Sequence, residues 1–111
     1  MVVSIVRRRT RITDRGQWQA RLTGAWPRLL SVLQRQPGFI SVQYLWGAEG
    51  DGEMAQVTTW ETLEDCRRYV REGGAATVAA LEELALPTAA HPHGNWHRHT
   101  YEVAELPVSE G

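Results

Sequence analysis

Lysine is missing from this 111-residue chain: all twelve basic side chains are arginine, which removes Schiff-base chemistry from the possible functions. Cysteine is nearly missing. The lone Cys66 excludes an internal disulfide and suits a reducing compartment. Net charge is also scarce, at −1, so no global field draws the protein toward nucleic acid or an anionic membrane. No apolar run approaches the roughly 18 residues of a membrane span. In MVVSIVRRRTR the arginines follow the apolar stretch, the reverse of a secretion signal, and the expectation is a cytoplasmic protein. The length suits one core, expected over residues 1 to 105 with 106 to 111 as a tail, and a large pocket would need help from a partner subunit.

What is present is a clear alternation of periods. Residues 2 to 12 begin β-branched and suit a strand running into an arginine-rich end. Asp14 followed by Gln17 forms a capping-box pattern, after which Trp18, Leu22, Trp26, Leu29 and Leu33 recur at helical spacing until Pro37-Gly38. Pro27 predicts a kink or a restart near Gly24. FISVQYLW (39 to 46) and EMAQVTTW (53 to 60) flank a glycine-rich turn and predict a hairpin. Thr62 and Asp65 open a second helix carrying Leu63, Cys66, Tyr69 and Val70, which Gly73-Gly74 breaks. Residues 75 to 86 suit a short alanine-rich helix, 87 to 95 a loop, and 96 to 105 a last strand.

The order β, α, β, β, broken α, β is the split βαβ pattern of ferredoxin-like α+β domains, an antiparallel sheet with both helices on one face. FISVQYLW offers apolar or aromatic groups to both faces. A sheet apolar on both sides needs a second layer, and an identical subunit supplies it, so a homodimer through the open face is expected.

QPGFISVQYLW, the glycine-rich turn, MAQVTTWETLEDCRRYV and the closing HTYEVAE together resemble the antibiotic biosynthesis monooxygenase-like (ABM) domains of the dimeric α+β barrel superfamily. The resemblance spans about residues 1 to 105. It implies barrel-like homodimers with a pocket between sheet and helices, in a superfamily that includes cofactor-independent oxygenases of aromatic substrates and haem-degrading enzymes. The haem-degrading branch uses an asparagine on the first strand, a tryptophan after strand three and a histidine on the second helix. Trp60 matches the tryptophan, whereas the first strand has no asparagine and residues 62 to 86 no histidine. The aromatic-oxidising branch pairs its tryptophan with an asparagine and a tyrosine, for which Gln56, Trp60 and Tyr69 are the nearest counterparts.

The implied activity is cofactor-independent oxygenation of a small aromatic molecule, with no cofactor expected. Gln56, Thr58 and Trp60 alternate onto one strand face and form a candidate substrate platform; the plain alternative is that Trp60 is core. Tyr44 and Trp46 share a face that lines either the pocket or the dimer interface, and the aromatic enrichment of interfaces favours the latter. His97, His99 and Tyr101 project to one face of the last strand. If that face looks onto the pocket, His97 or His99 is a candidate base, with Tyr69 as the alternative; if it looks onto a partner subunit, they are interface groups. A metal site would need His97 and His99 plus His91 or His93. Pro92 holds His91 apart and Glu102 points the other way, so no metal is expected. Among Arg7, Arg8, Arg9 and Arg11, alternation sends Arg8 alone to the opposite face, and a solvated or carboxylate-paired strand end is the default. Cys66 falls on the apolar side of its helix and reads as an inert buried thiol. A non-catalytic ligand-binding or regulatory dimer of the same fold remains the second function, and a metal-binding protein built on the histidines of residues 91 to 99 the third.

Overall fold

The computed structural model describes residues 1–10, 12–49, 52–73, 77 and 97–107, with the side chains of Arg9 and His97 outside that description. The elements are β1 (Val2–Arg9), α1 (Arg15–Gln34), β2 (Phe39–Trp46), β3 (Glu53–Trp60), α2 (Leu63–Glu72) and β4 (His97–Glu102). The strands form one antiparallel sheet in the order β2-β3-β1-β4, so the fold is α+β and ferredoxin-like, as the alternation of periods predicts. The expected helix over 75–86 and the loop with His91 and His93 lie outside the described residues. No described helix is long and apolar enough to cross a membrane.

Both helices start where side-chain caps offset orphan backbone donors. Asp14 Oδ2 accepts from the Gln17 amide at 2.8 Å, and Thr62 Oγ1 accepts from the Asp65 amide at 3.0 Å. α1 does not restart at Gly24: it is one helix through Pro27, whose ring sits on the exposed side where the lost hydrogen bond faces water. Its stripe of Trp18, Leu22, Ala25, Leu29 and Leu33 is buried, each large side chain contributing about 1.5–3 kcal/mol. Gly38 (φ 77°) turns α1 into β2 and has no room for a Cβ, which would collide with the Asp65 carboxylate.

β4 ends at Glu102, short of the expected residue 105. Val103 still donates to Met1 O at 3.0 Å, and among the described residues no strand pairs with the chain beyond it.

Alternation assigns the faces. Val2, Ser4, Val6 and Arg8 of β1, and Met54, Gln56, Thr58 and Trp60 of β3, are buried toward the helices. The other face carries Val3, Ile5, Ala55 and Val57, half-buried, with Leu45 and Tyr101 exposed. Tyr44 and Trp46 belong to the helix side, contrary to the interface expectation: Tyr44 meets Trp26 edge-on at 6.2 Å and Trp46 meets Trp18 at 5.2 Å. The irregularity between Phe39 and Ser41 sets this parity, because it shifts the register of β2 by one residue.

Candidate functional site

The register arranges the helix-side face in rows across the sheet. Phe39, Trp60, Val2 and Glu102 form the first; Val42, Thr58, Ser4 and Thr100 the second; Tyr44, Gln56, Val6 and Arg98 the third; Trp46, Met54 and Arg8 the fourth. Apolar clusters occupy the two ends. One is built on Trp18, Leu22, Leu29 and Met54, the other on Val2, Leu33, Trp60 and Tyr69. Between them runs a polar band.

Much of that band is internally bonded. Trp60 Nε1 donates to Thr58 Oγ1 at 2.9 Å, and Arg98 Nη1 donates to the fully buried Ser4 Oγ at 2.8 Å. Two atoms are not. Gln56 Oε1 and the Tyr44 hydroxyl are buried without a hydrogen-bond partner among the described residues, a cost of about 1–3 kcal/mol each that a native interior rarely carries without a use. Burial pushes the Tyr44 phenol well above its usual pKa, and nearby Tyr69 adds to the effect while the Arg8 guanidinium opposes it. Arg8 is itself only 2% exposed, so one member of the arginine run is interior rather than solvated. Arg7 on the opposite face behaves as expected and pairs with Glu53.

Trp60 and Tyr69 are packed against each other. Trp60 is 0% exposed and stacks on Tyr69 with centroids 4.8 Å apart, while the Tyr69 hydroxyl donates to Thr77 Oγ1 at 2.8 Å. The open volume lies beside them. A cleft of about 630 Å³ between α2 and the β4 edge is lined by Leu63, Cys66, Val70, Arg98, Thr100 and Glu102, with Arg67 and Arg71 at its helix rim and Tyr101 also on the wall. A second groove of about 320 Å³ lies between α1 and β2, against Trp18, Trp26 and Tyr44.

Gln56, Thr58, Trp60, Tyr44 and Tyr69 therefore share the helix side. His99 does not join them. It pairs with Ile5 in the register and stands exposed on the open face, 6.4 Å from the Tyr101 ring, and His97 occupies the position opposite Arg7 on the same strand. A base for a ligand held at Gln56 or Trp60 of the same subunit would have to lie across the sheet from His99. Among the described residues no group of three or more His, Cys, Asp or Glu side chains is placed to hold a metal.

Neither a protein-family model nor a curated protein sequence matches the chain. Solved structures do. SnoaB, a cofactor-independent oxygenase from Streptomyces nogalater, superposes with a TM-score of 0.62 at 15% identity, covering 95% of this chain and 94% of that one. A protein described as an antibiotic biosynthesis monooxygenase gives 0.60 at 7% identity, over 95% and 100%. The chain has the antibiotic biosynthesis monooxygenase fold. A third neighbour, an arginine-to-serine mutant of MhuD with two manganese protoporphyrin IX molecules bound per active site, gives 0.62 at 22% identity over 98% and 99%.

On this ABM fold, the porphyrin ligation that the resemblance implies for haem degradation requires a histidine on α2. Leu63–Glu72 has none, and its inward groups are Cys66 and Tyr69, so this donor set does not fit an axial histidine site. The residues that do face the open volume, Arg98 and Glu102, are not marked by any motif. Their signal is parity alone: they alternate with His97, His99 and Tyr101.

Proposed function

We propose that the protein is a cofactor-independent monooxygenase-like homodimer of the cytoplasm that takes a small, electron-rich aromatic molecule into the cleft between α2 and β4. The observation that carries this reading is the cleft itself: about 630 Å³, floored by Leu63, Cys66 and Val70, on the helix side of an ABM-fold sheet. The chemistry asks little of the protein. A phenol gives up its proton to a base, its carbanion form bonds to dioxygen through a ring carbon, and the base returns the proton to the peroxide. As that carbon loses its own hydrogen the O–O bond breaks, leaving one oxygen atom as a quinone carbonyl and the other as water made with those two hydrogens. The group placed to accept that proton is Glu102, on the cleft wall, whereas Tyr69 is committed to Thr77 and His99 stands on the far face. Trp60, Gln56 and Thr58 are buried outside the lining of this cleft, and Tyr44 lines the separate groove between α1 and β2.

The homodimer rests on the open face. Leu45 at 46% and Tyr101 at 53% exposure, beside the half-buried Val3, Ile5 and Val57, make an apolar surface that a second copy covers, with His99 among the contacts. One observation favours a second reading, a ligand-binding dimer without chemistry: Trp60 and Tyr69, the counterparts of the family's working residues, are both sealed in packing.

Oxygen uptake with a panel of naphthols and hydroxylated anthracene derivatives separates the two. Turnover that falls sharply in Glu102→Gln supports the oxygenase; saturable quenching of tryptophan fluorescence with no uptake for any compound supports the binder. Neither response would remove the cleft as the site.

A further inference from the structure

The cleft is unevenly charged. Among the described residues three guanidinium groups, Arg67, Arg71 and Arg98, line it against the single carboxylate of Glu102. Arg71 is drawn toward Glu64, at 3.5 Å on the surface. Arg98 is held differently: among the described residues its partner is the neutral Ser4 Oγ, which fixes one Nη1 donor and leaves the rest of the fork without a carboxylate. Ser4 is fully buried, so this bond ties the guanidinium to the sheet. Nor does any described carboxylate pair with Arg67.

The two charged ends of the β4 wall are separated. Arg98 and Glu102 lie four residues apart on the same face of the strand, a span of about 13 Å at the usual rise. Between them the wall is Thr100 and the opposing helix offers Leu63, Cys66 and Val70. The cleft thus has a cationic end, an apolar middle about the length of two or three fused rings, and an anionic end.

We propose that the natural ligand is an aromatic carboxylate, its carboxylate held bidentately by Arg98 and its ring lying on Leu63 and Val70 with the far edge toward Glu102. This rests on the cleft being the ligand site and specifies what it selects. An anion replaces the missing counter-charge at Arg98, which a neutral ring of the same shape cannot do.

The test compares 2-naphthoate with 2-naphthamide, equal in shape and differing in charge, by calorimetry and by amide NMR shifts on the full chain. Expected are saturable binding of the naphthoate with shifts confined to α2 and β4, binding of the naphthamide weaker by about tenfold or more, and a similar loss in Arg98→Ala that Arg98→Lys restores in part. Equal affinity for the two compounds overturns the carboxylate proposal and leaves the aromatic cleft standing. Naphthoate binding that moves other amides, or no naphthoate binding at all, also overturns it, and the oxygen-uptake panel of neutral naphthols then judges the cleft independently. Should Arg98→Ala fail to fold, the naphthoate and naphthamide comparison on the unaltered chain decides.

Discussion

The indole of Trp60 lies on the phenol of Tyr69, ring centroids 4.8 Å apart and planes tilted by 28°, with Phe39 edge-on to the same indole at 5.7 Å. This stack joins the end of β3 to α2, and Trp60 and Tyr69 are both buried within it. Trp60→Ala is therefore expected to destabilise the fold by about 3–5 kcal/mol, in the range of large buried aromatics. Trp60→Phe keeps a ring on Tyr69 and loses only the bond to Thr58, so it loses less. Urea denaturation checks both; a loss below about 1 kcal/mol in the alanine variant would show that Trp60 belongs to a ligand pocket and not to the core.

Tyr44 makes a prediction with a definite sign in pH. Its folded pKa is raised by burial above the ordinary value near 10, so the folded protein holds the phenolic proton where the unfolded chain releases it. The associated stability is complete below about pH 10 and is lost as pH rises toward the folded value. Tyr44→Phe removes that dependence. At pH 7 the variant should be as stable as the parent or slightly more so, since an unpartnered buried hydroxyl disappears. Denaturation curves at pH 7 and 10.5 that fall in parallel for both proteins would contradict this.

Gly38 is bound to its residue type by two constraints at once, a φ of 77° and the side chain of Asp65 where a Cβ would go. Gly38→Ala is expected to cost about 1–2 kcal/mol from the backbone alone, and more because Asp65 must yield while its Oδ2 accepts from Thr62 at the start of α2. A thermal midpoint unchanged from the parent would refute the account.

The open face predicts assembly. Val57 sits between Ile5 and Gln43 in the register, half-buried in the subunit alone. Sedimentation should give a dimer for the parent and a monomer of unchanged helix content for Val57→Glu, because a carboxylate there would be desolvated without a partner. A parent that sediments as one subunit removes the homodimer.

Much of the fold was legible because it follows local rules. The capping pairs at Asp14 and Thr62, the spacing of Trp18 to Leu33, and the pairing of the strand runs 39 to 46 and 53 to 60 depend on neighbours close in the chain, and the structure has each where its pattern places it. The exceptions are informative. Pro27 does not divide α1, since its ring and the lost bond both fall on the exposed side of a helix that buries only one stripe. Tyr44 and Trp46 read as interface groups because alternation says which residues share a face and never which face.

The site was less legible for the same reason. His97 and His99 stood out as a string, yet their face is set by the pairing of β4 with β1 from about 90 residues away, which puts His99 beside Ile5 on the open side. That pairing equally turns Arg98 and Glu102 toward α2, where no motif marked them. The amino-acid sequence by itself determined the elements, their caps and the period of each strand, since those are fixed by interactions within a turn or two of the chain. Only the tertiary structure decided which side of each strand meets the helices, because a period of two leaves that choice to long-range register, and with it whether a side chain lines a cleft, fills a core or waits on the bare face of the sheet.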